Sequence, residues 1–153
     1  MGGGLPDRAE IQQLFALFSH VFDNGDLENL DLVFTKDAVI DLRSTGREYI
    51  GLDVIADFVT ALAKGGEAPD HHTVDTVLLP GPPGEEGAAR ARSRYLAITR
   101  DGSVYHGDYL DDLRLTDDGW RIARRVSVPR RSPQGPVRLP DGFLDPWSPD
   151  RTR

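Results

Sequence analysis

The sequence predicts an α+β domain in which a curved meander sheet is covered on one face by three N-terminal helices. Two observations support this prediction. Apolar residues recur at helical spacing up to about position 65, and from His71 onward the period changes to two. The connections after His71 are short and contain Asp-Gly pairs, which suit tight hairpins and therefore antiparallel neighbours. With 153 residues and 39% hydrophobic content, the chain has room for one such domain.

The first helix is predicted to begin after Asp7, which can cap free backbone N–H groups while Glu10 reaches back toward it. It is predicted to end at "DNGD" (23–26), where Asp26 can cap a second, shorter helix through "LENLDLVF". The apolar residues of the first helix form one broad face made of Ile11, Leu14, Phe15, Phe18, Val21 and Phe22.

A short strand is predicted at 37–42 ("DAVIDL") because residues with high strand propensity are frequent there. A third helix is expected after Gly51, and the pair Gly65-Gly66 ends it, since glycine adopts the conformation that follows a helix C-terminus. The apolar face of this helix comprises Val54, Ile55, Phe58, Val59 and Leu62.

Four further strands are predicted, at about 71–79, 89–99, 103–115 and 120–128. On the strand predicted at 89–99, one face carries charged residues in its first half and apolar residues in its second half. It is either a solvated strand face or the seat of a second subunit in a homodimer. Its residues are Arg90, Arg92, Arg94, Leu96 and Ile98.

The composition changes at Pro129, because six prolines occur in the last twenty-five residues. No regular element is predicted there. The chain is therefore divided into a domain at 1–128 and a proline-rich tail at 129–153. The tail segment "LPDGFLDPW" (139–147) is apolar enough that we expect it to dock on some surface.

The charge of the chain argues against nucleic acid as a partner, since 25 acidic against 18 basic residues give a net charge of -7. The absence of cysteine excludes disulfides and sulfur-ligated zinc. The first residues lack the basic start and apolar core of a signal peptide, and no apolar run approaches membrane-spanning length. We therefore expect a cytoplasmic protein without a membrane partner.

Histidine is the side chain best suited to move protons near neutral pH, and the chain has four. His20 lies away from the apolar face of the first helix and is assigned to the surface. Adjacent strand residues point to opposite faces, so only one of His71 and His72 can face a site. Asp23 directly follows Phe22 and either points between helix and sheet or caps the next turn.

Other carboxylates alternate along the predicted strands, but their spacing does not define a metal site. Asp41 alternates with Val39, and Asp111 shares the face of Tyr109. "GPPGEEG" lacks the lysine and the following helix of a phosphate-binding loop. We therefore expect no metal and no cofactor.

Three segments resemble the SnoaL-like branch of the nuclear transport factor 2-like superfamily. They are "FSHVFDNGDLENLDLVFTKDAVIDL", "HHTVDTVLL" and "GDYLDDLRLTDDGWRIARR", and the resemblance spans about positions 8–128. The superfamily includes polyketide cyclases, scytalone dehydratase, ketosteroid isomerase and bile-acid dehydratase. The resemblance implies a cone-shaped α+β barrel with a central pocket, and a homodimer formed through the outer face of the sheet.

The resemblance also implies which residues form the site. The acid and the histidine that face each other in the family's dehydratases map onto Asp23 and His71, with His72 pointing outward. A second pocket histidine maps near His106, so the implied catalytic residues are Asp23, His71 and His106. The family's tyrosines are replaced by Phe18 or Phe22 and by Leu42. The residues expected to contact substrate are Phe18, Phe22, Asp41, Tyr95 and Tyr109.

The expected function is that of a cofactor-independent enzyme acting on a hydrophobic, polyketide-like or other cyclic metabolite. His71 is the expected base, Asp23 holds it in the correct tautomer, and His106 or Tyr109 donates to the developing oxyanion. One alternative is an isomerase or epoxide-opening enzyme with Asp41 as its base. The other is a non-catalytic binding or scaffold module. The resemblance to scytalone dehydratase further implies that the tail can serve as a pocket lid. The alternative is that the tail covers apolar surface elsewhere or packs on the partner subunit.

Overall fold

A computed structural model of the chain describes residues 5–66 and 68–130. It has two α-helices, one 3-10 helix and six strands in these ranges. The helices are α1 (Arg8–Asp23), the 3-10 helix (Leu27–Leu32) and α2 (Leu52–Gly65). The strands are β1 (Phe34–Leu42), β2 (Arg47–Ile50), β3 (Asp70–Pro80), β4 (Ala88–Ile98), β5 (Val104–Thr116) and β6 (Gly119–Pro129).

The six strands form one open sheet in the order β2-β1-β6-β5-β4-β3. All neighbours are antiparallel except β1 and β6, which run parallel. The α+β class, the mostly antiparallel sheet and the N-terminal helices are thus confirmed. Strand β2 is an addition to the prediction, and β1 starts three residues earlier than the predicted range of 37–42.

The start of α1 follows the predicted capping, because the Asp7 carboxylate accepts a hydrogen bond from the Ala9 N–H at 2.7 Å. The predicted apolar face of this helix is buried against the sheet. Helix α2 ends at Gly66, whose φ of +65° is the left-handed conformation that glycine adopts at little cost. The two helices cover the same side of the sheet, and their buried apolar residues belong to one core with it.

The sheet has an inner face, which packs against the helices, and an outer face. Residues paired across strands share a face, so the register assigns each strand position. On β4 the inner positions are small or aromatic and buried, while the outer ones are arginines and exposed apolar residues. The inner face includes Ile40, Tyr95, Tyr109, Leu113 and Arg125, and the outer face includes Asp41, Arg92, Leu96, Asp108 and Arg124.

Within the described ranges, no helix is both long enough and apolar enough to cross a membrane. The predicted tail (129–153) and its role as a lid lie outside the described residues, apart from positions 129 and 130. At those two positions the Arg130 N–H donates to the His106 carbonyl at 3.0 Å. Arg130 therefore lies beside the start of β5.

Candidate active site

A cavity of about 480 Å³ lies between α1, α2 and the inner face of the sheet. Its walls are mainly apolar and aromatic, which is typical of a site for a hydrophobic small molecule. The sequence-predicted residues Phe18, Phe22, His71, Tyr95, His106 and Tyr109 all line it. They are joined by Ile40, Leu42, Ser44, Phe58, Leu62, Pro69, Ala97, Val104, Tyr105, Arg125, Ser127 and Pro129.

Asp23 is in direct contact with His71, which lines the cavity. The His71 Nδ1 lies 2.5 Å from the Asp23 Oδ1, and the His71 backbone N–H donates to the other carboxylate oxygen at 2.6 Å. The two side chains are only 13% and 8% exposed. The end of α1 supplies the acid and the start of β3 supplies the histidine, so two elements fix their relative position.

This geometry selects one tautomer of His71. A carboxylate only accepts hydrogen bonds, so the contact with Asp23 places the proton on Nδ1. The Nε2 atom then carries the lone pair, and no group in residues 5–66 or 68–130 hydrogen-bonds to it. His71 is therefore arranged as a proton acceptor toward the cavity. His72, its neighbour, is exposed on the outer face, as the alternation predicts.

Two phenylalanines of α1 hold the His71 ring. Phe18 and Phe22 stack on one another with ring centroids 5.0 Å apart. Each meets the His71 ring edge-on, at centroid distances of 5.7 and 5.8 Å. These contacts fix the imidazole plane without adding a polar neighbour.

Tyr95 and Tyr109 form the opposite wall, with stacked rings whose centroids are 4.5 Å apart. Gly107 makes this arrangement possible, because a Cβ there would lie 2.6 Å from the Tyr95 ring. Burial raises the pKa of the Tyr109 phenol above its ordinary value, although the charge of Arg125 opposes the shift. Burial also raises the pKa of Tyr95, against a hydrogen bond with Ser127. Both phenols therefore stay neutral and can donate.

Arg125 is a site residue that the sequence analysis missed. Its Nε and Nη2 donate to the two carboxylate oxygens of Asp111 at 2.7 and 2.8 Å. The pair is fully enclosed, since the side chains are 1% and 0% exposed. The sequence contains one signal for this residue. Asp111 shares a strand face with Tyr109, and a buried aspartate needs a cationic partner.

Asp41 does not lie where the sequence analysis placed it. Its register partner on β6 is Val126, on the outer face, and it does not line the cavity. Its carboxylate is bound instead by Arg124 at 2.8 Å and by Arg43 at 3.0 Å. The expectation that Asp41 contacts substrate is therefore corrected: alternation along β1 does not reveal which of its faces is inner.

His106 lies at the cavity mouth. It borders the cavity beside Tyr105 and Pro129. Its strand position pairs with Leu96, so its side chain belongs to the outer face while Tyr105 and Tyr109 belong to the inner one. Of the two donors expected from the sequence, both border the cavity, but only Tyr109 belongs to the inner face of the sheet. The described residues contain no cluster of three or more groups that could hold a metal ion.

The fold and the site define a class: an α+β domain with an apolar cavity whose lining includes a histidine bound to an aspartate. Comparison with known sequences agrees with this class, because the SnoaL-like domain matches residues 4–126. The chain belongs to this family. Rv2910c, an uncharacterized protein of Mycobacterium tuberculosis (strain ATCC 25618 / H37Rv), is 32% identical over 126 residues, which are 81% of this chain and 86% of that protein.

Solved structures share the fold. A variant of Rv3472, a protein of unknown function from Mycobacterium tuberculosis, superposes with a TM-score of 0.71 at 22% identity, covering 88% of this chain and 78% of that one. A candidate scytalone dehydratase from Novosphingobium aromaticivorans DSM 12444 superposes with a TM-score of 0.68 at 20% identity, covering 86% of this chain and 89% of that one. At these identities the likeness establishes the fold alone.

Proposed function

We propose that the protein is a cofactor-independent acid/base enzyme, a dehydratase or cyclase acting on a hydrophobic, polyketide-like or other cyclic metabolite. The observation that carries this proposal is the contact between Asp23 and His71 on the wall of an apolar cavity. The name of the structurally similar candidate scytalone dehydratase is consistent with it.

In the proposed reaction His71 is the general base. Its Nε2 takes a proton from a carbon next to a substrate carbonyl, and the C–H electron pair passes into an enolate. The imidazolium that forms is stabilised by the Asp23 carboxylate at 2.5 Å. In a dehydratase, the enolate then expels the β-hydroxyl group, which leaves as water after taking the proton from His71. In a cyclase, the enolate carbon attacks a second carbonyl, and the same proton neutralises the new alkoxide.

Tyr109 is the proposed donor to the substrate carbonyl. It lies on the inner face, its ring is buried, and its raised pKa keeps the phenol protonated throughout the neutral range. Phe18 lies 5.9 Å from the Tyr109 ring and 5.7 Å from the His71 ring, so the donor and the base flank one phenylalanine. A ring-sized substrate can therefore meet both groups at once.

A non-catalytic binding module is the second candidate. The observation that favours it is the absence of hydroxyl groups at Phe18, Phe22 and Leu42, since the resembling enzymes carry one tyrosine at Phe18 or Phe22 and a second at Leu42. Such a module would keep the cavity and its ligand but would not need the proton-accepting Nε2 of His71.

Proton abstraction can be tested without knowing the natural substrate. The bicyclic ketone 2-tetralone has exchangeable protons next to its carbonyl, and their replacement by deuterium in D2O is followed by NMR. We expect the protein to accelerate this exchange, and His71→Asn to reduce the acceleration by roughly a hundredfold or more. His72→Asn is the matched control, since that side chain is the adjacent histidine but is exposed on the outer face.

If the unmodified protein binds 2-tetralone tightly but does not accelerate the exchange of its protons, the result would favour the binding module. Equal exchange by the His71→Asn and His72→Asn variants would also contradict the proposed base. Thermal unfolding of each variant separates a chemical loss from a loss of folding.

A further inference from the structure

Arg125 brings one unsatisfied hydrogen-bond donor of a charged side chain to the cavity lining. Among the described residues that line the cavity, it is the only permanently charged one, and no aspartate or glutamate is in the lining. Its Nη1 atom is buried and has no hydrogen-bond partner within residues 5–66 and 68–130. Buried donors without partners are rare in native proteins, and each calls for a structural or functional reason.

The partner of Arg125 cannot supply the missing bond. Both oxygens of Asp111 are already engaged, one by Nε and one by Nη2. The flat guanidinium packs against two rings, with its Cζ 4.0 Å from the Tyr109 centroid and 4.2 Å from the Phe18 centroid. The Phe15 ring lies beside it as well, with its centroid 5.2 Å from Cζ, and Nη1 is the one guanidinium nitrogen without a partner among the described residues.

We infer that the Nη1 edge of Arg125 is a subsite for a negatively charged oxygen on a cyclic ligand, such as a carboxylate or an ionised enol or phenol. This inference deepens the proposed function, because it rests on the same cavity being the ligand site. A guanidinium binds an anionic oxygen more strongly than a neutral carbonyl, since both partners are charged. The lining adds no carboxylate that would repel such a ligand.

The position of the subsite defines the size of the ligand. Phe18 touches both ends of the site, since its ring centroid is 4.2 Å from the Arg125 Cζ and 5.7 Å from the His71 ring centroid. The stacked pair of Tyr95 and Tyr109 offers a flat wall beside them. A ligand made of a single ring or of two fused rings can lie along Phe18 from Arg125 to His71. Its acidic oxygen is then at Arg125 and its reacting carbon is toward His71.

Two probes that differ only in charge test the inference. We propose calorimetric titration with 2-naphthoate and with its neutral analogue 2-naphthamide at pH 8. The unmodified protein should bind the carboxylate at least tenfold more tightly. The double variant Arg125→Met with Asp111→Leu should lose this preference, because replacing both partners leaves no buried charge unpaired. Arg124→Met is the matched control, since it lies one position earlier on the outer face and should keep the preference.

The preference for 2-naphthoate and the exchange of 2-tetralone protons can be lost independently, so the inference and the proposed function are tested separately. The variant His71→Asn should lose exchange of 2-tetralone protons and still prefer 2-naphthoate, because the subsite does not depend on the base. If the double variant does not fold, the unmodified protein still decides the question through 2-naphthol, whose ionisation is read from its absorbance. Binding should lower the pKa of this phenol relative to free solution.

Three results would overturn the inference. They are equal or weaker binding of 2-naphthoate relative to 2-naphthamide, a preference that survives in a folded double variant, and a raised pKa of bound 2-naphthol. If neither 2-naphthoate nor 2-naphthamide binds at millimolar concentration, this result would count against the inference as well, since the proposed ligand class would then not enter the cavity.

Discussion

The two faces of the sheet each hold a buried aspartate, and they use it differently. Asp23 meets the inner face through His71, a partner that can gain and lose a proton near neutral pH. Asp41 lies on the outer face between Arg43 and Arg124, which stay protonated at any pH the protein experiences. Burial of the carboxylate therefore does not distinguish the two pairs. They differ in the proton chemistry of the partner, and this difference underlies the proposed catalytic role of Asp23 and His71.

The two faces of the sheet also differ in how their other ion pairs are exposed to solvent. On the outer face, Asp108 is bound by Arg130 at 3.1 Å, and Arg92 lies 4.0 Å away. Asp108 itself is buried, while the side chains of Arg130 and Arg92 are 38% and 18% exposed. The three groups belong to a series of charges that alternate in sign across the strands. On the inner face, Arg125 pairs with Asp111, and aromatic rings enclose this ion pair. The outer pairs thus involve partly exposed arginines, whereas the inner pair is shut off from solvent.

The largest expected effect comes from Asp23→Asn. An amide can donate to the His71 Nδ1, which favours the tautomer with its proton on Nε2, and the base is then lost. We expect exchange of 2-tetralone protons to fall by about a hundred- to ten-thousand-fold. Asp41→Asn is the counterpart on the outer face, and its exchange rate should stay within about twofold of the parent.

Asp41→Asn should instead appear in the unfolding equilibrium. Weakening charge-assisted hydrogen bonds to Arg43 and Arg124 should lower the free energy of unfolding by about 1–3 kcal/mol, as measured by urea denaturation. If Asp41→Asn reduced exchange as much as Asp23→Asn in folded protein, the division between the two faces would be wrong.

The packing of the inner face is tested by Gly107→Ala. The added Cβ would overlap the Val128 carbonyl oxygen and lie 2.6 Å from the Tyr95 ring. Overpacking of this kind should lower the free energy of unfolding by about 1–3 kcal/mol and displace the tyrosine pair. Gly65→Ala is the control, because nothing lies within 4 Å of its added Cβ. Equal stability of the two variants would show that the tyrosine wall yields easily.

Alkaline pH distinguishes a buried phenol from an exposed one. Burial raises the pKa of Tyr109 above the ordinary value of 10.0, so the folded state holds a proton that the unfolded chain releases. The associated stability is complete below pH 10 and is lost as the pH rises further, at about 1.4 kcal/mol per pH unit. Tyr109→Phe should flatten this fall in urea denaturation between pH 10 and 11.

Tyr105→Phe is the matched control for this experiment, because the Tyr105 side chain is 61% exposed at the cavity mouth. Its unfolding curve should follow the parent at every pH. A slope for Tyr109→Phe that equals that of the parent would mean that the phenol is hydrated in the folded state.

Most of the fold follows from the sequence because long periodic segments specify it. The apolar face of α1 and the alternation in β3 to β6 gave elements within about two residues of those observed. Strand β2 escaped prediction, since only Tyr49 of its four residues is even partly buried. Phe34 was assigned to the preceding helix because "LVF" continues a helical pattern as well as it starts a strand.

The site was predictable only in part. Asp23 and His71 lie in contact as the resemblance implied, while their catalytic roles stay a prediction. Asp41 was misplaced, because period two separates the faces of a strand without saying which one meets the helices. Arg125 was missed because an arginine in "RIARR" is ordinarily a solvated residue. Only the pairing of β5 with β6, which sets Asp111 opposite Arg125, shows why this cation is buried.

The smallest expected effect concerns assembly through the outer face. Four apolar side chains there are between 37% and 41% exposed, on the neighbouring strands β3 and β4: Val74, Val77, Leu96 and Ile98. Such a patch between arginines is expected to pack against the same patch of a second copy. Leu96→Ala should then weaken the dimer by roughly fivefold, since most interface truncations cost about 1 kcal/mol or less.

Analytical ultracentrifugation across a concentration series measures this shift. Leu115→Ala is the control, because Leu115 is 50% exposed but lies near the far end of β5, away from the patch. The dimer prediction requires that only the Leu96 variant dissociates at higher concentration than the parent. A parent that sediments as a 16.9 kDa species at micromolar concentration would contradict it, and the outer face would then be a solvated surface whose apolar residues pack on no partner.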